Sequence, residues 1–259
     1  MATARMAVKI PGDPAPFPRI VPLGGQNSTS SMPREAGVGA IARNHATDCR
    51  FVAAGAELIA EGEPSGNLYI VLDGWLILHR ILEDGRRQIL DFVLPGGVLG
   101  NYVKCGTPYS FTAEALTNAQ VAVIPLSRVG DLLSRGGSCA MTLLDAANDA
   151  LIGAFDNLTD IGRRTAREAV ANFLLRMDRR IGRTVSANAD GSIPFPLTQE
   201  HMGDTLGLTA VHVCRTLRAL RADGLVEVGR GRLRIIDRDA LAVEAGAFAP
   251  EFDDTRLAG

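Results

Sequence analysis

The chain has 259 residues, 46% of them hydrophobic, with 27 Lys plus Arg against 29 Asp plus Glu for a net charge of −2. That length holds one large domain or two ordinary ones, each with its own core. No run of about 18 apolar residues and no basic-then-apolar leader occurs, so neither a membrane span nor a secretory signal is expected, and the cytoplasm is the expected compartment.

Residues 1–40 contain "IPGDPAPFPRIVPLGGQNSTSS". Frequent Pro, Gly and Ser without a sustained apolar period predict a mobile tail. Residues 41–136 follow as short apolar runs punctuated by glycine. Leu68–Leu72 and Trp75–Leu82 flank Asp73-Gly74, and Glu83-Asp84-Gly85 closes the next hairpin. Asp-Gly supplies the positive φ that tight hairpins need, so these runs predict an all-β sandwich or roll from about Phe51 to Pro125.

After "RGG" the period changes. Leu144, Ala147, Leu151, Ala154, Leu158 and Ile161 follow a 3-4-3-4-3 spacing, the seam of a coiled coil. Residues 137–162 are therefore expected to be a dimerisation helix, against the plainer alternative of a helix lying on the roll. A second helix, "RTAREAVANFLLRMDRRIG", places Ala169, Phe173, Leu174 and Met177 on one face.

Residues 163–242 complete the pattern. Thr198 is a natural N-cap with Glu200 in the first turn, Gly207-Leu208 turns the chain, and Thr209 caps a helix running to about Asp223. "LVEVGRGRLRII" reads as a hairpin around Gly229-Arg230-Gly231. Two short helices and a basic hairpin in that order make a winged helix-turn-helix, more specific than the turn alone, which is also common as plain packing. Residues 161–238 hold 14 Arg against 8 Asp plus Glu, net +6, and the remainder carries 13 basic and 21 acidic residues, net −8. A basic C-terminal third suits a polyanion. Residues 243–259 are expected to be a C-terminal tail. The overall class is α+β.

These residues resemble the CRP/FNR family of bacterial transcription regulators over about Phe51 to Ala240. "EGEPSGNLYIVLDGWLIL" is similar to the opening of its cyclic-nucleotide-binding-type roll, and "LTQEHMGDTLGLTAVHVCRTLRALRADGLVEV" to its DNA-binding helices. The resemblance implies a jelly-roll-like sensor, a homodimer on palindromic double-stranded DNA, and RNA polymerase as a partner. It implies that Arg215 reads guanine, with Ala210, Val211, His212 and Arg218 on the same reader helix. Val211 stands where the family carries a base-reading Glu; valine accepts no hydrogen bond, so the half-site should differ there. Thr198 and Gln199 stand where the family grips phosphate, and Arg218, Arg221, Arg230 and Arg232 are candidate backbone contacts.

The effector cassette departs from the cAMP-binding pattern. Val98, Leu99, Gly100, Tyr109 and Ser110 mark the pocket, with Val98 at the position of the ribose-holding Glu and Tyr109 at that of the phosphate-pairing Arg. A buried phosphate without its Arg loses a charge-assisted fork, and Lys104 is a poor substitute, so conventional cAMP binding is not expected. Only Cys49 precedes the roll, too few thiolates for the iron–sulfur cluster of the oxygen-sensing branch. Cys49, Cys105, Cys139 and Cys214 form no CxxC pair, which speaks against a zinc ribbon and a disulfide framework. His45 with Cys49, and His212 with Cys214, lack further ligands for zinc. No cofactor or metal is expected, and the signal is left open. Cys105 beside Lys104 could be a thiol of lowered pKa, but a structural cysteine is the better expectation. A protein-interaction module with structural basic helices is the competing reading. An enzyme is disfavoured because no nucleophile–base–orienter set is visible.

Overall fold

The structure, a computed structural model, describes residues 34–101, 105–185 and 187–246. The first described element is helix α1, Arg34–His45. The tail expected to reach residue 40 is therefore helical from residue 34. Val38, Ile41 and Ala42 recur at helical spacing and are buried with Leu68, Ile124, Val129 and Leu143. Gly37 permits the close fit, since a Cβ there would lie 2.9 Å from Thr142 Oγ1. His45 ends this helix and Cys49 lies on the following strand, so the two share no helix face.

Eight strands make the roll: β1 Asp48–Val52, β2 Glu57–Ile59, β3 Asn67–Asp73, β4 Leu76–Ile81, β5 Arg87–Val93, β6 Val98–Gly100, β7 Thr112–Ala115 and β8 Ala119–Pro125. They form two antiparallel sheets of order β1-β8-β3-β6 and β2-β7-β4-β5. Alternate side chains, among them Tyr69, Val71, Leu76, Val93, Leu99 and Val121, meet between the sheets, as a half-buried strand pattern requires. The hairpin expected at Asp73-Gly74 does not form, because β3 and β4 belong to different sheets. Gly74 (φ 78°) instead carries the chain across, with no room for a Cβ, which would stand 2.2 Å from the Asn118 carbonyl oxygen. The β4–β5 hairpin is as expected, with Ile81 opposite Arg87 and Gly85 at φ 83°.

Helix α2, Leu126–Arg135, packs on the outer face of the first sheet against Leu68, Ile70 and Ile124 and leads into α3, Ser138–Gly162. On α3 only Ala140, Leu143 and Asp160 are buried. The expected seam is open: Leu144, Leu151, Leu158 and Ile161 are exposed, as is Ala154, and Ala147 is partly so. Met141, Ile152 and Phe155 widen this apolar face, the seven large side chains being 47–69% exposed. Helix α4, Ala166–Gly182, starts in a capping box between Thr165 and Glu168 and buries Ala169, Phe173, Leu174 and Met177.

Where α3 meets α4, Asp160 is 2% exposed. Its Oδ1 accepts from Arg164 Nη1 at 2.5 Å and Asn172 Nδ2 at 2.9 Å, and its Oδ2 lies 3.2 Å from Arg176 Nη2. Burial pushes the Asp160 carboxyl up and the Arg176 guanidinium down, against their mutual attraction. This is a buried pair whose desolvation rivals its Coulomb gain.

The remaining elements are β9 Ile193–Pro194, α5 Gln199–Leu206, α6 Ala210–Ala222, β10 Val226–Gly229, β11 Arg232–Ile235 and α7 Arg238–Glu244. The last helix runs past residue 242 and Ala245 is buried, so the expected tail starts late; residues 247–259 lie outside the described ones. One hydrophobic cluster joins Trp75, Ile77, Ile89 and Phe92 of the roll to Phe173, Met177 and Met202 beyond α3. The edge strand β5 is covered by three helices. Asn157 Nδ2 donates to the Leu90 carbonyl at 2.7 Å, Arg180 forks onto Asp91 from 2.6 Å, and Arg87 Nε pairs with Asp204 at 2.8 Å.

Candidate nucleic-acid interface

Thr198 opens α5 with reciprocal caps. Its Oγ1 accepts from the His201 N–H at 3.1 Å, and His201 Nδ1 accepts from the Thr198 N–H at 3.2 Å. The helix ends at Gly207 in the left-handed region, φ 67° and ψ 27°, which glycine adopts without penalty. The chain then folds back so tightly that a Cβ on Gly203 would stand 2.5 Å from the Leu208 carbonyl oxygen. Thr209 caps α6, its Oγ1 accepting from the His212 N–H at 3.2 Å.

The two faces of α6 are sharply divided. Val213, Thr216, Leu217 and Leu220 are buried, while Ala210, Val211, His212, Arg215 and Arg218 are exposed. Val211, an apolar side chain in the first turn, is 61% exposed.

The wing is the β10–β11 hairpin, in register from Val226 opposite Ile235 to Gly229 opposite Arg232. Arg230 (φ 52°) and Gly231 (φ 72°) form its two-residue turn, the positive-φ pair that matches strand twist. Arg234 is forked onto Glu227 at 3.1 and 2.8 Å, and Arg232 lies 3.7 Å from Asp190 with both side chains more than half exposed. Arg221 donates to the Val228 carbonyl. Between the wing and the first turn of α5 lies a cleft of about 390 Å³, lined by Thr198, Gln199, Arg221, Arg230 and Gly231. The expected contacts thus fall in two groups, the α6 face and this cleft, with Arg232 on β11, the middle strand between β10 and β9.

The net charge read from the sequence overstates this face. Arg164, Arg167, Arg176, Arg180, Arg234 and Arg238 are tied to carboxylates. Among the described residues, Arg215, Arg218 and Arg230 have no carboxylate within ion-pair distance. The role of His201 was missed in the sequence, although Thr-x-x-His has the spacing of a capping box.

The five effector positions differ in burial. Tyr109 is buried between the sheets, its hydroxyl donating to the Asn67 carbonyl at 3.0 Å and its ring 5.9 Å from that of Phe111. Burial pushes that hydroxyl above the ordinary tyrosine range. Leu99 is buried beside it, Val98 and Gly100 are half-buried, and Ser110 is exposed. Cys105 donates to the Ser65 carbonyl at 3.4 Å; Lys104 lies outside the described residues. Among the described residues no three His, Cys, Asp or Glu side chains converge on a metal site, and no helix is long and apolar enough to cross a membrane.

A β-roll joined through a long helix to a winged helix-turn-helix defines a class: transcription regulators that couple a sensor to a DNA reader. The cyclic nucleotide-binding domain matches residues 49–135 and the Crp-like helix-turn-helix domain residues 168–243. The nitrogen fixation regulation protein FixK of Azorhizobium caulinodans is 33% identical over 193 residues, 73% of this chain and 74% of that protein. The transcriptional activator protein FnrL of Cereibacter sphaeroides is 30% identical over 200 residues, 76% and 80% of the two chains. The solved structure of FixK2 from Bradyrhizobium japonicum superposes with a TM-score of 0.69 at 30% identity, covering 78% of this chain and 98% of that one. The chain belongs to the CRP/FNR family. It is a DNA-binding transcription regulator of the α+β class expected from the sequence.

Proposed function

We propose that the chain works in the cytoplasm as a homodimer on palindromic operators and that its roll answers to a signal other than cAMP. The observation that carries the reading is the α6 face, where Ala210, Val211, His212, Arg215 and Arg218 stand exposed on one side of a helix whose other side is locked into the core. On a two-fold dimer two such helices enter successive major grooves about 34 Å apart. Arg215 forks onto guanine and Val211 presents an apolar surface suited to a thymine methyl. Thr198, Gln199, Arg221 and Arg230 hold a phosphate in the cleft, and Arg218 and Arg232 reach the backbone on either side.

The dimer is closed by the α3 face of Leu144, Ala147, Leu151, Ala154, Leu158 and Ile161, with Met141, Ile152 and Phe155 beside them. A monomeric chain would leave this long apolar stripe in water. Tyr109 supports the exclusion of cAMP: its ring occupies apolar space where a phosphate-pairing Arg would stand, and Val98 offers no acceptor to a ribose hydroxyl. The activator FnrL among the relatives supports RNA polymerase as a further partner.

Binding-site selection from random duplexes tests the reading on wild type, Arg215→Ala, Arg230→Ala and Val211→Glu. A palindrome is expected, with Arg215→Ala relaxing one symmetric position at a cost of about 1–3 kcal/mol. Arg230→Ala is expected to weaken all sequences alike, and Val211→Glu to draw cytosine into the half-site. Full base preference in Arg215→Ala together with no change in Val211→Glu would remove α6 from the role of reader.

A further inference from the structure

Helix α5 is held from two sides. Its first turn faces the wing cleft, while its flank rests on the outer face of the second roll sheet. There Asp204 pairs with Arg87 of β5 at 2.8 Å, and Gln88 Nε2 donates to the Thr205 carbonyl at 3.2 Å. His201, half-buried, belongs to both sides. Its Nδ1 accepts the Thr198 N–H, which requires that nitrogen to carry no proton.

The charged groups acting on the ring are Arg87 from β5, Glu114 from β7, and Glu200 and Asp204 from α5 itself. Helices α4 and α6 meet α5 through apolar contacts around Met202 and Leu206, and α3 reaches it with Ile161, near Gly207. Glu114 also faces His79 of β4, which is 3% exposed with Nε2 3.4 Å from Glu114 Oε2. Neither His79 ring nitrogen has a hydrogen-bond partner among the described residues.

We propose that His201 makes the grip on DNA proton-sensitive: neutral, it caps α5 and lets the helix seat on the roll; protonated, it releases both. This rests on the reading of α5 as the phosphate-gripping helix. A second ring proton faces the Thr198 N–H, so donor meets donor and the cap is lost. The new charge sits in the first helical turn, where the macrodipole is already positive, and close to Arg87. Burial first, and Arg87 after it, hold the His201 ring below the ordinary histidine range, against Glu200, Asp204 and Glu114. The seated state therefore binds fewer protons than a released state whose histidine titrates near its ordinary value of roughly 6.5. Seating is fully favoured above that value and is lost as pH falls through it toward the lowered one.

Two measurements on the full chain test this. Long-range ¹H–¹⁵N spectra of ¹⁵N-histidine protein are expected to show His201 with its proton on Nε2 at pH 7.5 and a titration midpoint below that of free histidine. Anisotropy with the selected palindromic duplex, at constant ionic strength, follows binding from pH 7.5 to 5.5. A His212→Asn background removes the histidine of the reader helix. Affinity is expected to fall several-fold in the parent and to stay level in His201→Gln, whose side-chain oxygen accepts from the same N–H without titrating. A slope that survives His201→Gln, or that disappears with His79→Gln instead, overturns the proposal, as does an ordinary His201 midpoint. If wild type itself does not bind the duplex at pH 7.5, the DNA reading of α5 fails, and the His201 midpoint still decides the switch.

Discussion

Leu151 stands at the middle of the α3 face with 51% of its surface exposed. Complete burial of a leucine is worth about 1.5–3 kcal/mol, so the exposed half accounts for roughly 0.8–1.5 kcal/mol. A two-fold dimer covers the residue twice, and Leu151→Ala is expected to weaken association by about 1.5–3 kcal/mol, a rise in Kd of roughly 10- to 150-fold. Leu151→Arg sets two unpaired charges against each other at the same place and is expected to leave only monomer at micromolar concentration. Sedimentation velocity over a dilution series reads both effects. Circular dichroism should stay unchanged, because the side chain faces away from its own protomer's core. A Kd for Leu151→Ala within threefold of wild type, with Leu151→Arg still dimeric, would refute the assignment of this face to the dimer.

Three further outcomes follow from the packing. Asp160→Ala leaves Arg176 buried without its carboxylate and should cost roughly 3–5 kcal/mol in urea unfolding, with Asp160→Asn less harmful because it keeps the shape and the Asn172 contact. Gly203→Ala drives a methyl into the Leu208 carbonyl and should cost about 1–3 kcal/mol; a melting temperature equal to wild type would show that the turn yields freely. Tyr109→Phe removes one hydrogen bond, worth about 0.5–1.5 kcal/mol, while calorimetry with cAMP should give no heat of binding to either protein, and micromolar binding would reverse the reading of the cassette.

The elements legible in the sequence were those written in local chemistry. Thr198, Gly207 and Thr209 announce two helices and the turn between them, and Arg230-Gly231 announces the wing, because caps and positive-φ turns are set by neighbouring residues. The 3-4-3-4-3 spacing of α3 was equally plain, although Phe155 and Ile152 fall just outside that strict stripe and so escaped it. Asp73-Gly74 misled: an Asp-Gly turn fixes a change of direction, not the sheet that the next strand joins. Gly37 and Gly39 weakened the helical signal of α1, whose Val38 and Ile41 gain their burial from strands and helices far along the chain. Long-range polar pairs left no trace in the sequence. Arg87 and Asp204 are 117 residues apart, and nothing near either one marks its partner. Asp160 draws its partners from nearer, Arg164 from the link after α3 and Asn172 and Arg176 from α4.

The hydrophobic cluster shared by the roll and the DNA-reading half bears on how the molecule comes apart. A cut after residue 162 would strip Phe173 of Phe92, whose ring centre lies 6.0 Å away, and would wet the flank of α5 now seated on β5. The reader is therefore not a detachable module. Heat or denaturant should take sensor and reader down in a single cooperative step, because local opening of one half exposes the apolar face of the other. During synthesis the completed roll would wait with Ile77, Ile89 and Phe92 uncovered until the chain beyond α3 arrives to close over them.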